Sequence, residues 1–539
     1  MEFYRYISSL AGCDPCKTVF LCAPENEAKS SESLRKFAES SGWIKAAEED
    51  GAVLIAPIVK DGWDKEPEHL LKDLYNEVKG NCPVPEGNEG LPHRKGLLWL
   101  WETLIYGVGY KEGASFLARQ TVSDPNLFSA VVLSDGGTED FSKGKEESDH
   151  WLISNPSDDY NVKNQDVPSA LWIFGNDESM KKTASYIRGC DRTDKKETKD
   201  FDGCNTTVYY NHADTVLQVR ESKEEEIPAD TVMSTFFNKI MRWKNSGDGT
   251  LQYCIGKKDY YRGNTYLHDS VESDGISYHF GIYLPEGMSK EEAKGLPVVL
   301  SIHGAGEPSW IFATKNGWER LADETRDFVV VLPDSPQNVW VLQRDLHSIS
   351  NIVEKLINDY GFDEERIYIT GFSNGSIFTK QQASTFPHLF AAASPWNGPS
   401  PKDLKGNTTF GSYIYEPSFS EGEWEMPFWH CVGDNDSKAS AGMENDLAET
   451  LKPNGCDEST AEVWNGNNHY TAIFGYSEGE RFNTKVYRNK DGIVMAGATV
   501  MKNMPHGAVY DESRAAWEFM RRFKRRKNEK KVSLTEEEE

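Results

Sequence analysis

The segment ERIYITGFSNG, residues 365–375, runs from a charged pair through an apolar stretch into a serine bracketed by two glycines. The apolar part, IYIT, is short and β-branched, so it reads as a buried strand. GFSNG cannot continue that strand and reads as a tight turn. From about Ser376 the residues suit a helix. Gly371 and Gly375 have no Cβ, which lets strand and helix approach closely while Ser373 sits on a strained turn between them. The N-terminus of that helix would face any negative charge developing beside the serine. Strand, sharp turn and helix form the repeating unit of an α/β layer.

Reading outward, the second half of the chain is built from such units. YHFGIYLP (278–285) alternates like an edge strand, PVVLSIHG (297–304) is a buried strand entering a glycine turn, and FVVVLP (328–333) is a buried strand stopped by proline. Residues 346–360 have helical apolar spacing. MPFWHCVG (426–433) is a further strand, VMAGATVMKNMPHG (494–507) ends the sheet, and ESRAAWEFMRRF (512–523) is a closing helix.

The first half repeats this layout. SGWIKAAEEDGAVLIAP (41–57) parallels NGWERLADETRDFVVVLP (316–333), and GYKEG (109–113) parallels GFSNG. NLFSAVVLSDGG (126–137) parallels HLFAAASPWNGP (388–399), VPSALWIFGNDES (167–179) parallels MPFWHCVGDNDS (426–437), and NHAD (211–214) falls where MPHG (504–507) falls. Order and spacing both match, which implies two copies of one large domain. The expected architecture is α/β, with two domains in tandem, each a mainly parallel sheet flanked by helices. The expected boundaries are a first domain over 1–245, a polar linker over 246–274, a second domain over 275–525, and a charged, disordered tail over 526–539.

Composition narrows the function. The chain has 539 residues, a formal net charge of −27, 38% hydrophobic residues and 12% aromatics. Full cores are affordable at that apolar content. Such acidity repels nucleic-acid backbones and anionic membrane surfaces, so neither is expected as a partner. No apolar run reaches the roughly 18 residues of a membrane span, and the start lacks the apolar region of a secretory signal, so a cytoplasmic location is expected unless a signal has been removed. The nine cysteines are an odd number spread thinly, which argues against a disulfide framework. Cys13 and Cys16 form a lone CxxC with no second ligand pair, read as ordinary packing.

A serine hydroxyl needs a base to be a good nucleophile. The order nucleophile, acid, histidine is that of the α/β hydrolases. Asp434 and Asp436 are acid candidates at a strand end. His506, just before the last helix, is the base candidate, with His469 competing from an excursion between strands. An oxyanion hole needs two backbone N–H groups. Asn374 follows the serine, and Gly304 and Ala305 lie in the loop after the early strand. His303 reads as a structural turn residue. Trp310, Trp340, Trp396 and Trp424 lie in or beside loops after strands, and Trp340 and Trp396 are the expected pocket-lining pair. Nothing implies a metal or cofactor.

On IYLPEG, VVLSIHGAG, YGFDEERIYITGFSNGS, FAAASPWNGP, GDNDS, MPHG and AAWEFMRRF, residues 275–525 resemble the poly(3-hydroxybutyrate) depolymerase and feruloyl/acetylxylan esterase group of α/β hydrolases. The resemblance implies Ser373 as nucleophile and His506 as base. In that group the acid stands three residues after the strand-end glycine, which favours Asp436. The chain departs from the group in having Ser376 where a second glycine is common, and in the residues after HG. The first half resembles the same fold without its chemistry: Lys111 occupies the nucleophile position and Ala23-Pro24 replaces HG, while Glu178 and His212 stand at acid-like and base-like positions. The resulting expectation is a serine carboxylic-ester hydrolase acting through an acyl-enzyme. Its substrate would be a small or oligomeric hydroxyalkanoate, feruloyl or acetyl ester. A prolyl-oligopeptidase-type peptidase and a scaffold with a vestigial site are the alternatives. The oligomeric state is not legible.

Overall fold

The structure, a computed structural model, describes residues 2–12, 14–88, 95–148, 162–244, 247–398, 424–464 and 480–535. The first half builds a sheet from β1 (Phe3–Ile7), β2 (Pro15–Cys22), β3 (Val53–Pro57), β4 (Trp99–Tyr110), β5 (Ala130–Ser134), β6 (Ala170–Phe174), β7 (Lys195–Phe201), β8 (Cys204–Tyr210) and β9 (Gln218–Ser222). A ribbon follows, β10 (Ile240–Arg242) against β11 (Leu251–Tyr253). The second sheet contains β12 (Tyr266–Ser273), β13 (Ile276–Tyr283), β14 (Val298–Ile302), β15 (Val329–Pro333), β16 (Ile367–Phe372), β17 (Ala392–Trp396), β18 (Phe428–Gly433), β19 (Glu462–Val463), β20 (Phe482–Arg488) and β21 (Val494–Met501).

Their strand orders give the duplication directly. The first sheet runs β1-β3-β2-β4-β5-β6-β9-β8-β7, and the second runs β12-β13-β15-β14-β16-β17-β18-β21-β20-β19. Remove the edge strand β12 and the two orders superimpose strand for strand. In each, the central strands pair in parallel and helices follow most of these parallel strands, so the strands are buried on both faces and read as near-continuous apolar runs. The fold is α/β, two such sheets in tandem.

The same backbone device recurs in both. Ser373 has φ 56° and ψ −117°, and Lys111 has φ 51° and ψ −120°. Ser373 N–H donates to Trp396 O at 3.0 Å, and Lys111 N–H donates to Ser134 O at 2.9 Å. A Cβ on Gly375 would lie 2.3 Å from Ile302 O, and one on Gly113 would lie 2.2 Å from Cys22 O. No side chain fits at either place.

Several segments depart from the sequence expectation. The stretch 246–274 is not a bare linker. It holds β11, the helix Lys257–Arg262 and the whole of β12, which pairs with β13 along its length. Its polar residues find partners within the fold. Fully buried Asp248 accepts from Thr250 N at 3.0 Å, and Gly249 O accepts at 2.8 Å from Arg242, which is fully buried in β10 and also donates to Phe128 O at 2.9 Å. Consequently β13 is not an edge strand. Nor does β21 end the second sheet, because β20 and β19 lie outside it. The tail is not a loose charge run up to residue 535: β22 (Phe523–Lys524) pairs with β23 (Ser533–Leu534), and buried Arg525 donates to Phe390 O at 2.6 Å. Charge repulsion along that segment is offset by pairing that composition does not display.

The halves meet through the N-terminal ends of the first sheet's strands. Asp14, just before β2, pairs with Lys257; Asp214, just before β9, pairs with Arg320. Ile311, on the helix Ser309–Asn316, joins the apolar core of the first half. Lys111 lies at the other end of its sheet, at the C-terminal end of β4. No helix among the described residues is long and apolar enough to cross a membrane.

Because both glycines face a carbonyl, Gly375→Ala and Gly113→Ala are each expected to cost about 1–3 kcal/mol of stability by overpacking. Denaturant midpoints check this, and a variant as stable as the wild type would show that the crossing tolerates a Cβ.

Candidate active site

Ser373 sits where β16 ends and the helix Asn374–Thr385 begins. Its positive φ with ψ near −117° is a sparsely populated conformation for a residue with a side chain, costing about 1–3 kcal/mol. The crossing of strand and helix enforces it. His506 lies in the loop between β21 and the helix Tyr510–Met520. Asp436 stands at the N-cap position of the helix Ser437–Leu451 after β18, with no side-chain bond to the helix amides.

Three sequence-distant residues thus form one chain of hydrogen bonds. His506 Nε2 lies 2.9 Å from Ser373 Oγ, and His506 Nδ1 lies 2.5 Å from Asp436 Oδ2. A carboxylate can only accept, so Nδ1 carries the ring proton and Nε2 is left to accept from the serine hydroxyl. Asp436 is nearly buried, while the His506 ring is about half exposed at 45%. The ring also packs on Phe372, with centroids 4.8 Å apart.

Asp434 has a different task. Its Oδ1 accepts from Asn503 N at 2.6 Å, and its own N–H donates to Met501 O. It ties the acid loop to the histidine loop and makes no contact with the ring. His469 lies outside the described residues, as does Cys13. Cys16 is buried, and burial pushes its thiol up to about 12, consistent with packing.

The loop after β14 is organised by His303. Its Nδ1 bonds Gly304 O at 2.7 Å and its Nε2 accepts from Ser335 N at 3.1 Å. Burial pushes this imidazole below its usual range, so it stays neutral and structural. Gly304 is buried and Ala305 exposed at this loop. Asn374 contributes more than a backbone amide. Its Oδ1 accepts from Trp340 N at 2.7 Å and its Nδ2 donates to Trp340 O at 3.0 Å, fixing the 334–345 segment against the turn.

Trp340 and Trp396 do not line an open pocket. Both are fully buried. Trp340 stacks on Phe378 at 4.5 Å, and Trp396 stacks on Trp318 at 5.9 Å while its Nε1 donates to Ser394 Oγ. Each turns into a core layer, because a large ring at a strand end gains more by burial than by exposure. Trp310 and Trp424 are partly exposed.

In the first half, Glu178 and His212 do not come together. Glu178 starts a helix and pairs with Lys181, whereas His212 pairs with Asp194 at 2.5 Å. The residue capping that helix is Asp177, which accepts from Met180 N. The loop there is one residue shorter after its glycine than the GDND turn, so the acid shifts out of register.

The sequence reading missed three supports. Asn397 Nδ2 donates to Gly507 O at 2.7 Å and its Oδ1 accepts from Gly433 N at 2.7 Å, joining the loops that carry His506 and Asp436. Its positive φ of 47° is matched by Asp135, at φ 55°, in the other half; the paired position in the internal repeat was the available signal. Glu307 and fully buried Lys315 pair at 2.9 Å, with the ammonium 3.5 Å from the centre of the Phe372 ring. Glu512 accepts from Asn397 Nδ2 and from Val509 N. Among the described residues no group of three or more His, Cys, Asp or Glu side chains could hold a metal ion.

No family model matches the chain. A bifunctional acetylxylan esterase/xylanase of Neocallimastix patriciarum is 28% identical over 174 residues, which is 32% of this chain and 23% of that protein. Acetylxylan esterase A of Emericella nidulans is 30% identical over 131 residues, 22% of this chain and 41% of the relative. A probable acetylxylan esterase A of Aspergillus niger is 29% identical over 187 residues, 32% and 54% respectively. The chain therefore spans between about a quarter and a half of the length of these curated relatives. Among solved structures, an acetyl xylan esterase from Aspergillus awamori aligns with 47% of this chain and 98% of its own, at 18% identity and a TM-score of 0.36.

Burial pushes the Glu512 carboxyl up to about 8, well above its unfolded value of about 4.3. The folded state therefore binds more protons between those values, and stability falls as pH rises from about 4.5 to 8. Glu512→Gln, which mimics the neutral acid, is expected to shrink the difference in melting temperature between pH 5 and pH 8. An unchanged difference would place the titration elsewhere.

Proposed function

We propose that this chain, similar in sequence to acetylxylan esterases and sharing the α/β-hydrolase fold, is a serine carboxylic-ester hydrolase that works through an acyl-enzyme. The observation that carries this reading is the unbroken Ser373–His506–Asp436 hydrogen-bond chain on a strained elbow at a helix N-terminus. Ser373 Oγ attacks the ester carbonyl carbon while its proton passes to His506 Nε2. The carbonyl electrons move onto oxygen, which the amides of Asn374 and of Gly304 or Ala305 stabilise. Asp436 holds the imidazole in its tautomer and stabilises the imidazolium. The imidazolium returns the proton to the leaving alcohol as the C–O bond breaks. Water, deprotonated by the same histidine, then attacks the acyl-enzyme and releases the acid.

The substrate best supported is an acetyl ester on a polysaccharide or its oligomers, because the relatives that share sequence with this chain carry that activity in their names. The first half is a non-catalytic copy. It keeps the elbow backbone but places Lys111 there, and its histidine pairs with Asp194, remote in role from any nucleophile.

The test compares acetate release from acetylated xylo-oligosaccharides, and hydrolysis of p-nitrophenyl acetate and methyl ferulate, by wild type, Ser373→Ala and Lys111→Ala. Ser373→Ala should lower kcat on the order of 10⁴–10⁶-fold, and Lys111→Ala should leave it unchanged. Equal rates in wild type and Ser373→Ala, or cleavage of blocked prolyl peptides in preference to every ester, would overturn the proposal.

A further inference from the structure

Among the described residues His506 makes two side-chain hydrogen bonds, and it is 45% exposed, so its position is set by the backbone on either side of it. Both flanks are gripped by arginines. Upstream, Arg481, almost completely buried just before β20, donates Nε to Lys502 O at 2.9 Å and Nη2 to Asn503 O at 3.4 Å. Downstream, the guanidinium of Arg320 lies 3.9 Å from the centre of the Tyr510 ring, at the start of the helix that follows His506.

Neither arginine finds all its counter-charge in its own half. Arg481 Nη1 pairs at 2.5 Å with Asp248, a fully buried carboxylate in the turn of the β10–β11 ribbon that also accepts from Thr250 N. That ribbon is fastened to the first sheet by Arg242 and by Lys244, which donates to Leu127 O at 3.0 Å. Arg320 Nη1 pairs at 2.6 Å with Asp214, in the turn between β8 and β9. Its other partner, Glu324, belongs to the same helix as Arg320 and so cannot fix that helix relative to the first half.

A buried guanidinium stripped of its carboxylate is strongly destabilised and moves toward water. If Arg481 withdraws, the carbonyls of Lys502 and Asn503 lose these bonds, four and three residues from His506. We infer that the first half, through Asp248 and Asp214, clamps the His506 loop and holds the imidazole in line with Ser373. Asp248 and Asp214 are positioning residues, and this role accounts for a hydrolase-like half that carries no nucleophile. The inference deepens the esterase reading and rests on it for its catalytic consequence, while the clamp itself is a statement about the loop.

The experiment uses the full chain with Asp248→Asn, Asp214→Asn and both together. Two readouts are taken: hydrogen–deuterium exchange of peptides covering 499–510, with 374–385 as internal reference, and kcat, KM and fluorophosphonate labelling rate with p-nitrophenyl acetate as the ester. The expected result is faster exchange confined to 499–510, kcat and labelling lower on the order of 10–100-fold through loss of alignment, and KM within about two-fold. Wild-type exchange in all three variants would overturn the clamp. So would faster exchange spread evenly over the chain, or loosening at 499–510 with kcat and labelling unchanged. If Asp248→Asn does not fold, Asp248→Asn with Arg481→Gln removes both buried charges. Its kcat should remain low with folding restored, and wild-type kcat in that variant would overturn the clamp. A wild type that neither labels nor hydrolyses any ester sinks the esterase reading, and the exchange data still decide the clamp.

Discussion

The close crossing of a strand by the helix that follows it is the constraint on which the rest of each half depends. At Gly375 the carbonyl of Ile302 sits 2.3 Å from where a Cβ would be, and at Gly113 the carbonyl of Cys22 sits 2.2 Å away. The crossing forces the residue two positions earlier, Ser373 or Lys111, to positive φ and thrusts its side chain out at the end of the sheet. The β14 loop and the 334–345 segment held by Asn374 fasten onto this point, and the Ser373 N–H bonds the end of β17 at Trp396 O. The side chain presented there differs between the halves, Ser373 in one and Lys111 in the other.

The two halves separate geometry from chemistry. Their strand orders coincide and their elbow angles differ by only a few degrees. One elbow presents a hydroxyl to a histidine that is itself oriented by a carboxylate. The other presents an amine, with its histidine engaged by Asp194 and its helix cap out of register. The strain therefore belongs to the packing of the fold, since it is the same whether serine or lysine occupies the elbow.

Burial of charge is concentrated where segments from distant parts of the chain must keep a fixed relation. Lys315 with Glu307, Arg481 with Asp248 and Arg320 with Asp214 all lie at or near the loops around Ser373 and His506. Such pairs contribute little net stability against an apolar replacement, but losing one partner is costly. They specify geometry, which suits a site where a serine, an imidazole and a carboxylate arrive on three separate elements.

Much of this was legible in the amino-acid sequence because the relevant signals are local. Glycine spacing around Ser373, apolar strand runs and the internal repeat pointed to an α/β duplication, the elbow, and the candidates Asp436 and His506 that the fold brings beside Ser373. Asp436 against Asp434 could be ordered only by resemblance until the loop geometry separated an orienting carboxylate from a loop tie. Trp340 and Trp396 were misread, since a loop-adjacent tryptophan and a buried one look alike in sequence. The 246–274 segment and the charged end were misread for a related reason: polar composition does not reveal whether partners wait elsewhere in the fold. The sequence by itself determined the repeating units and the residue types at the site. Only the tertiary structure decided which side chains meet, because ion pairs such as Arg481–Asp248 join residues 233 positions apart, and no local pattern encodes a contact between groups that become neighbours only after both sheets have closed.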